Sequence, residues 1–272
     1  MLQNIEMGRN AAIAKALKNS NRRHLLILLL VYIFMLIRLI LFVDHYAVNV
    51  LFWDQWDFLF HLFRGNQNLW DNFMIQHGPH RQGLGGVFLA IIYPLSGWNV
   101  RVEVFIAVAL VAVSCLLALA IKGQLFGKFH WADSVIPLAY FSLLQYETFV
   151  GTPNLAHGPV PMLMITSTAF LLTLKNLKVR NVLLVMLVFL STYTGFAIFS
   201  GLVVMGLLFL FSLKSKSTGD RLWNVIPLII SMAIFGSFFI NYHHAPAVDC
   251  FQFPHPKPLQ YLEFAFLQFA TA

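Results

Sequence analysis

Long apolar runs separated by short polar stretches set the pattern of this chain. The first run covers residues 25–43, is interrupted only by Arg38, and as a helix is long enough to cross a hydrocarbon core of roughly 30 Å. Further runs lie at 102–121, 134–150, 160–174, 182–194, 196–213 and 222–242, and a last one begins near Leu259 and is still apolar at the C-terminus. The pattern predicts an all-α chain: a polytopic transmembrane helical bundle with about seven spans after the first. Residues 1–24 carry Arg9, Lys15, Lys18, Arg22 and Arg23 ahead of the first run. No small-x-small cleavage site closes that run, so the segment reads as a retained signal anchor.

The shorter run at 84–98 is ambiguous, because counting it as a span reverses the side of everything downstream. Charge decides between the readings. If the run dips into the membrane and returns, Lys122 and Lys128, then Lys175, Lys178 and Arg180, then Lys214, Lys216 and Arg221 join the basic N-terminus on one face, as the positive-inside rule requires. Gly83, Gly85, Gly86, Pro94 and Gly97 also suit a broken helix. Residues 44–101 then form one extracytoplasmic loop carrying interfacial and re-entrant helices, and residues 102–272 the rest of the bundle. In that arrangement 13 of the 18 Lys and Arg face the cytoplasm with the N-terminus, and eight of the 11 acids face outward with eight of the 10 histidines. A bacterial inner membrane fits this expectation best.

Composition agrees, since 59% of the residues are hydrophobic and only 11% charged, against roughly 25% charged in soluble domains. The net charge of +7 resides in the predicted cytoplasmic loops, where topogenesis and anionic lipid account for it, so no nucleic-acid partner is expected. No phosphate-binding Walker pattern, Gly-rich dinucleotide fingerprint or internal repeat is present. Cys115 falls inside a predicted span and Cys250 in a predicted outer loop, so the two are not expected to pair.

Candidate chemistry gathers in the predicted outer loop. Within residues 53–64, Asp54, Asp57, His61 and Arg64 recur at helical steps on one stripe, and Trp53, Trp56, Phe60 and Phe63 form the neighbouring one. A helix with one charged and one aromatic side lies flat at a membrane surface. Beyond it, His77-Gly78-Pro79-His80-Arg81 sets two imidazoles beside a guanidinium. Arg81 offers a planar fork suited to a phosphate, and His77 or His80 could hold a metal, relay a proton or bond the loop backbone. Arg38, about six residues from the outer end of its span, either snorkels to the interface or grips an anionic group.

The order of these features resembles the polytopic glycosyltransferases of the GT-C class, which move a sugar from a polyprenyl-phosphate carrier. The acidic element Trp53-Asp54-Gln55-Trp56-Asp57 follows the first span, and Gly78-Pro79-His80-Arg81 is similar to the His-Arg half of an Asn-Glu-His-Arg element. Residues 145–151, Gln-Tyr-Glu-Thr-Phe-Val-Gly, resemble a Gln-x-Glu-Asn-x-x-x-Gly motif, and Tyr242-His243-His244 with the Pro-rich stretch to Pro258 resembles a later outer loop. The resemblance covers most of the chain, which is shorter than the family's usual length and would be a truncated product, a fragment, or a family offshoot that keeps the fold and has lost transfer. It implies that Asp54 is the base or a metal-holding carboxylate, supported by Asp57. Arg81 would stabilise the departing phosphate, with Arg38 as a second grip. Glu147 and His157 would line the sugar pocket, joined by Tyr242, His243 and His244. A lipid-linked sugar donor and membrane lipids are the implied partners. No cofactor is named by the sequence, a divalent cation being the one these carboxylates could hold.

The rival reading is a non-catalytic polytopic protein: a transporter, a flippase or an assembly partner. Transporters place ionisable groups near mid-membrane between repeated halves. Here such groups crowd the predicted outer interface and no repeat exists, which favours chemistry at the surface.

Overall fold

The computed structural model describes residues 2–65, 68–151, 154–243 and 256–271, with side chains from residue 21 onward except at 264–265 and 268–271. The chain is about 77% helical with almost no strand, and it divides into two compact units, Met1–Ile240 and Asn241–Ala272. Among the described residues, three helical stretches are long and apolar enough to cross a membrane: Asn21–Tyr46, Arg101–Phe126 and Gly195–Lys214. At about 1.5 Å per residue each spans at least the roughly 30 Å hydrocarbon thickness.

The basic leader and the first apolar run are not separate elements. They form one 45-residue helix, α1 (Leu2–Tyr46), because the leader is built from Ala, Lys, Leu and Asn with no Pro and a single Gly to interrupt the ladder. A second expectation is corrected at 134–150, where a single span was predicted. That run folds as a 3-10 turn at Trp131–Ser134, the short α6 (Val135–Tyr140), another 3-10 turn at Leu143–Gln145 and a π-helical turn at Glu147–Gly151. Ser142 ends the helical path by turning extended and using its hydroxyl to accept from the Leu144 N–H. The runs at 160–174 and 182–194 fold as α7 (Pro159–Leu172) and α8 (Leu177–Tyr193), of 14 and 17 residues.

Hydrogen bonds at the helix ends sort the charges. The last turn of α1 meets the first turn of α5 (Arg101–Phe126) through an Arg101–Asp44 ion pair of 2.7 Å. About half-way along α1, where its apolar stretch begins, the helix meets the loop after α5: the Phe129 N–H donates to Asn21 at 2.8 Å. Thr173, after α7, donates to Gln124 near the end of α5. From there α8, α9 (Ile198–Lys214) and α10 (Thr218–Ser237) alternate in direction through short links. Arg22, Arg23, Lys122, Lys128, Lys175, Lys178, Lys214, Lys216 and Arg221 therefore gather at one end of the first unit, and Asp44, Asp54, Asp57, Glu103 and Glu147 at the other.

At the carboxylate end lie α2 (Gln55–Phe63), α3 (Leu69–Met74), the two-stranded hairpin β1 (Gln76–His77) and β2 (His80–Arg81), and α4 (Leu84–Leu95). Helix α2 buries Gln55, Phe58, Leu59 and Leu62 and exposes Trp53, Trp56, Phe60 and Phe63, so the aromatic stripe faces outward. Helix α4 starts where the Leu84 N–H donates to Thr194 and finishes where Tyr93 donates to Glu103, so both its ends lie at this same end of the unit. The second unit carries α11 (Leu259–Thr271), with Leu259, Leu262, Phe266 and Leu267 exposed.

Candidate functional site

Two backbone devices assemble the site. The Gly78-Pro79 turn, with Gly78 at φ 55°, closes the hairpin in the register His77 opposite His80, so both imidazoles project from one face. The loop at Gly195, φ 50°, runs so close to Ala156 that a Cβ there would meet the Ala156 carbonyl oxygen at 1.7 Å. Only glycine permits that approach, and it presses His157 toward the hairpin.

His157 and His80 then share a hydrogen bond between their Nε2 atoms at 2.5 Å, with ring centroids 4.5 Å apart. His77 stands 5.8 Å from His80 by centroid, and its Nε2 lies 3.6 Å from a carboxylate oxygen of Asp54 at the start of α2. Phe58 and Phe196 pack their rings around the imidazoles. Burial lowers the His80 pKa to about 4, helped by His157 and His77 and opposed by Asp54. Burial lowers His157 to about 4 as well, with His77 adding to it. Both rings are therefore neutral at pH 7.

Asp54, Trp53, Gln55, Glu147, Asn154 and His157 are among the residues that wall a cavity of about 270 Å³. His157 and Gly158 also border a groove of about 530 Å³ whose other walls are mostly apolar, among them Tyr140, Met162, Ile165 and Phe196. The Asn154 amide nitrogen is buried and has no hydrogen-bond partner among the described residues. Asp54, Asp57 and His77 each place one ligand atom within 4.8 Å of the others. That oxygen and imidazole set, only partly buried, fits a divalent cation.

The sequence candidates thus fall into four groups. Asp54, Asp57, His77, His80, Glu147 and His157 come together. Arg81 is buried beside them, but both terminal nitrogens of its guanidinium are engaged: they donate to the carbonyls of Met74 at 2.8 Å, Phe238 at 3.1 Å and Ile240 at 2.8 Å, the group packs over Tyr193 and Phe238, and its Nε has no partner among the described residues. Arg38 is exposed on α1 with Met35 Sδ 3.8 Å away, outside the cavity wall. Tyr242 and His243 belong to the second unit, and His244 lies outside the described residues.

Glu103, an acid at the start of the apolar run at 102–121, holds a larger place in the structure than its position in the sequence suggests. It is 1% exposed and accepts from Gln55 Nε2 at 3.0 Å, Tyr93 Oη at 2.8 Å and the Leu155 N–H at 3.3 Å. One carboxylate thus ties α2, α4 and the loop before α7 to α5, fixing Asp54 and His157 through their chain neighbours. The available signal was a lone acid opening an apolar span, which implies an interior partner. Asn154 carried no sequence signal. Comparison with protein-family models, curated proteins and solved structures finds no match.

Proposed function

We propose that the chain is a multi-pass integral membrane protein that binds a lipid-linked anionic substrate at its carboxylate end and, as the GT-C resemblance implies, transfers a sugar from a polyprenyl-phosphate donor to an acceptor hydroxyl there. One observation carries the reading: a polar cavity walled by Asp54, Glu147, Asn154 and His157 opens beside an apolar groove and shares His157 and Gly158 with it. A lipid-linked sugar has the same two halves, and its phosphate belongs at their junction.

In this reaction Asp54 takes the proton from the acceptor hydroxyl as its oxygen attacks the anomeric carbon. The bond from that carbon to the phosphate oxygen breaks, and its electron pair leaves with the phosphate. His157, neutral at pH 7, gives the phosphate a hydrogen-bond donor at the junction. Asp54, Asp57 and His77 would hold a divalent cation, which when bound would offset phosphate charge. The positive-inside rule orients the basic end to the cytoplasm and the site to the outer face, as in a bacterial inner membrane.

Arg81 favours a second reading. With its terminal nitrogens engaged, no Lys or Arg among the described residues walls cavity or groove, an arrangement suited to a non-catalytic carrier-lipid protein. The two separate in nanodiscs containing the full chain and a panel of radiolabelled undecaprenyl-phosphate-linked hexoses and pentoses. Transfer of label that drops about 100-fold or more in Asp54→Asn, with carrier still bound, supports the enzyme. Carrier retention without transfer from any donor supports the second reading, and full transfer in both Asp54→Asn and Asp57→Asn ends the catalytic proposal.

A further inference from the structure

The opposite end of the first unit carries a groove that the sugar-transfer reading does not use. Helices α8 and α10 flank it, and Val182, Met186, Trp223, Ile226 and Ile230 are among the side chains that wall its volume of about 540 Å³. A bond of 2.9 Å between Asn181 and Asn224 joins the two helices beside it and fixes their separation. Along α10 the groove runs from Gly219 to Ile230, roughly 16 Å at helical rise. That length is about half of a 30 Å hydrocarbon core, one leaflet deep.

The charged rim says what fills it. Lys175 and Lys178 at the start of α8, Lys214 at the end of α9, and Lys216 and Arg221 at the start of α10 are all exposed. Asp220 is the one acid in the segments that carry them. The Lys178 ammonium lies 5.2 Å above the ring of Trp223, which itself walls the groove, so a cation sits at the mouth of the apolar slot. Arg180 donates from its Nε to Asn181 and packs its guanidinium over Phe211.

We propose that this groove is a binding site for one anionic phospholipid, with an acyl chain along α8 and α10 and the headgroup phosphate held by Lys178 at the mouth. A zwitterionic headgroup carries its own cation and gains little from such a rim, whereas a net negative one is drawn to it. The site lies at the end away from Asp54 and stands independently of sugar transfer.

Native mass spectrometry of the detergent-purified full chain tests it, with phosphatidylglycerol and phosphatidylcholine of identical acyl chains supplied in equal amounts. The expected result is one retained phosphatidylglycerol per chain, preferred over phosphatidylcholine. Lys178→Gln should lower that preference about fivefold. Lys178→Arg should keep it, which a folding defect would not allow, and Val182→Trp should reduce retention of either lipid by filling the slot. Equal retention of the two lipids by the unaltered chain overturns the proposal. So does an equal loss of preference in an Arg22→Gln, Arg23→Gln control, because the effect would then be diffuse charge and not a site.

Discussion

Glu103 is the residue whose replacement should disturb the fold most. Leucine there would leave the Gln55 amide, the Tyr93 hydroxyl and the Leu155 N–H without their acceptor in a buried setting, at about 1–3 kcal/mol for each donor left unmet. Glu103→Leu should therefore lower the thermal midpoint of the purified protein by several degrees, while Glu103→Gln, which keeps an acceptor oxygen, should lose less. Gln82 is the opposite case. It is fully buried with neither end of its amide partnered among the described residues, so Gln82→Leu should leave stability unchanged or raise it by about 1 kcal/mol. The paired imidazoles set a pH dependence. The folded pKa of His80 and of His157, about 4, lies below the ordinary 6.5, so the unfolded chain binds more protons between those values. Their contribution to stability is complete above about pH 6.5 and is lost as pH falls toward 4. Thermal unfolding across that window should show the decline, and a His80→Gln, His157→Gln variant should show a shallower one.

At the level of elements, Arg81 has exchanged one role for another. A guanidinium in a short polar motif read as a phosphate clamp, because sequence displays its donors and not their acceptors. In the fold those donors meet carbonyls at the C-terminal end of α10, where a helix leaves its last oxygens unmet and a cation is favoured. Arg81→Met should therefore loosen that end of α10, read as faster hydrogen exchange at residues 234–240 with little change in α5. The amphipathic reading of 53–64 was legible because burial, aromatic exposure and the polar stripe all follow a helical period that sequence alone carries. The run at 134–150 was not, since composition cannot tell one span from several short apolar pieces turned by Ser142 and ended at Gly151.

For the whole molecule, segregation of charge is the feature with the widest consequence. Every described contact between helix ends is consistent with Arg22, Arg23, Lys122, Lys128, Lys175, Lys178, Lys214, Lys216 and Arg221 at one end and the Asp54 cluster, with Arg101 paired to Asp44, at the other. Cysteines introduced at Asp57 and at Lys216, both exposed, should react with impermeant reagents from opposite sides of sealed vesicles. Reaction of both from one side would remove the proposed orientation.

Sequence by itself determined the helical class, the apolar stretches at 25–43, 102–121 and 196–213, and the stripe bearing Asp54 and Asp57, because each is written in local periodicity and run length. Tertiary structure alone decided that His157 bonds to His80 across 77 positions of chain, that Glu103 joins three elements, and that Arg81 turns from the cavity to a helix end. Those outcomes depend on which distant donors and acceptors burial brings together. No local pattern records that choice.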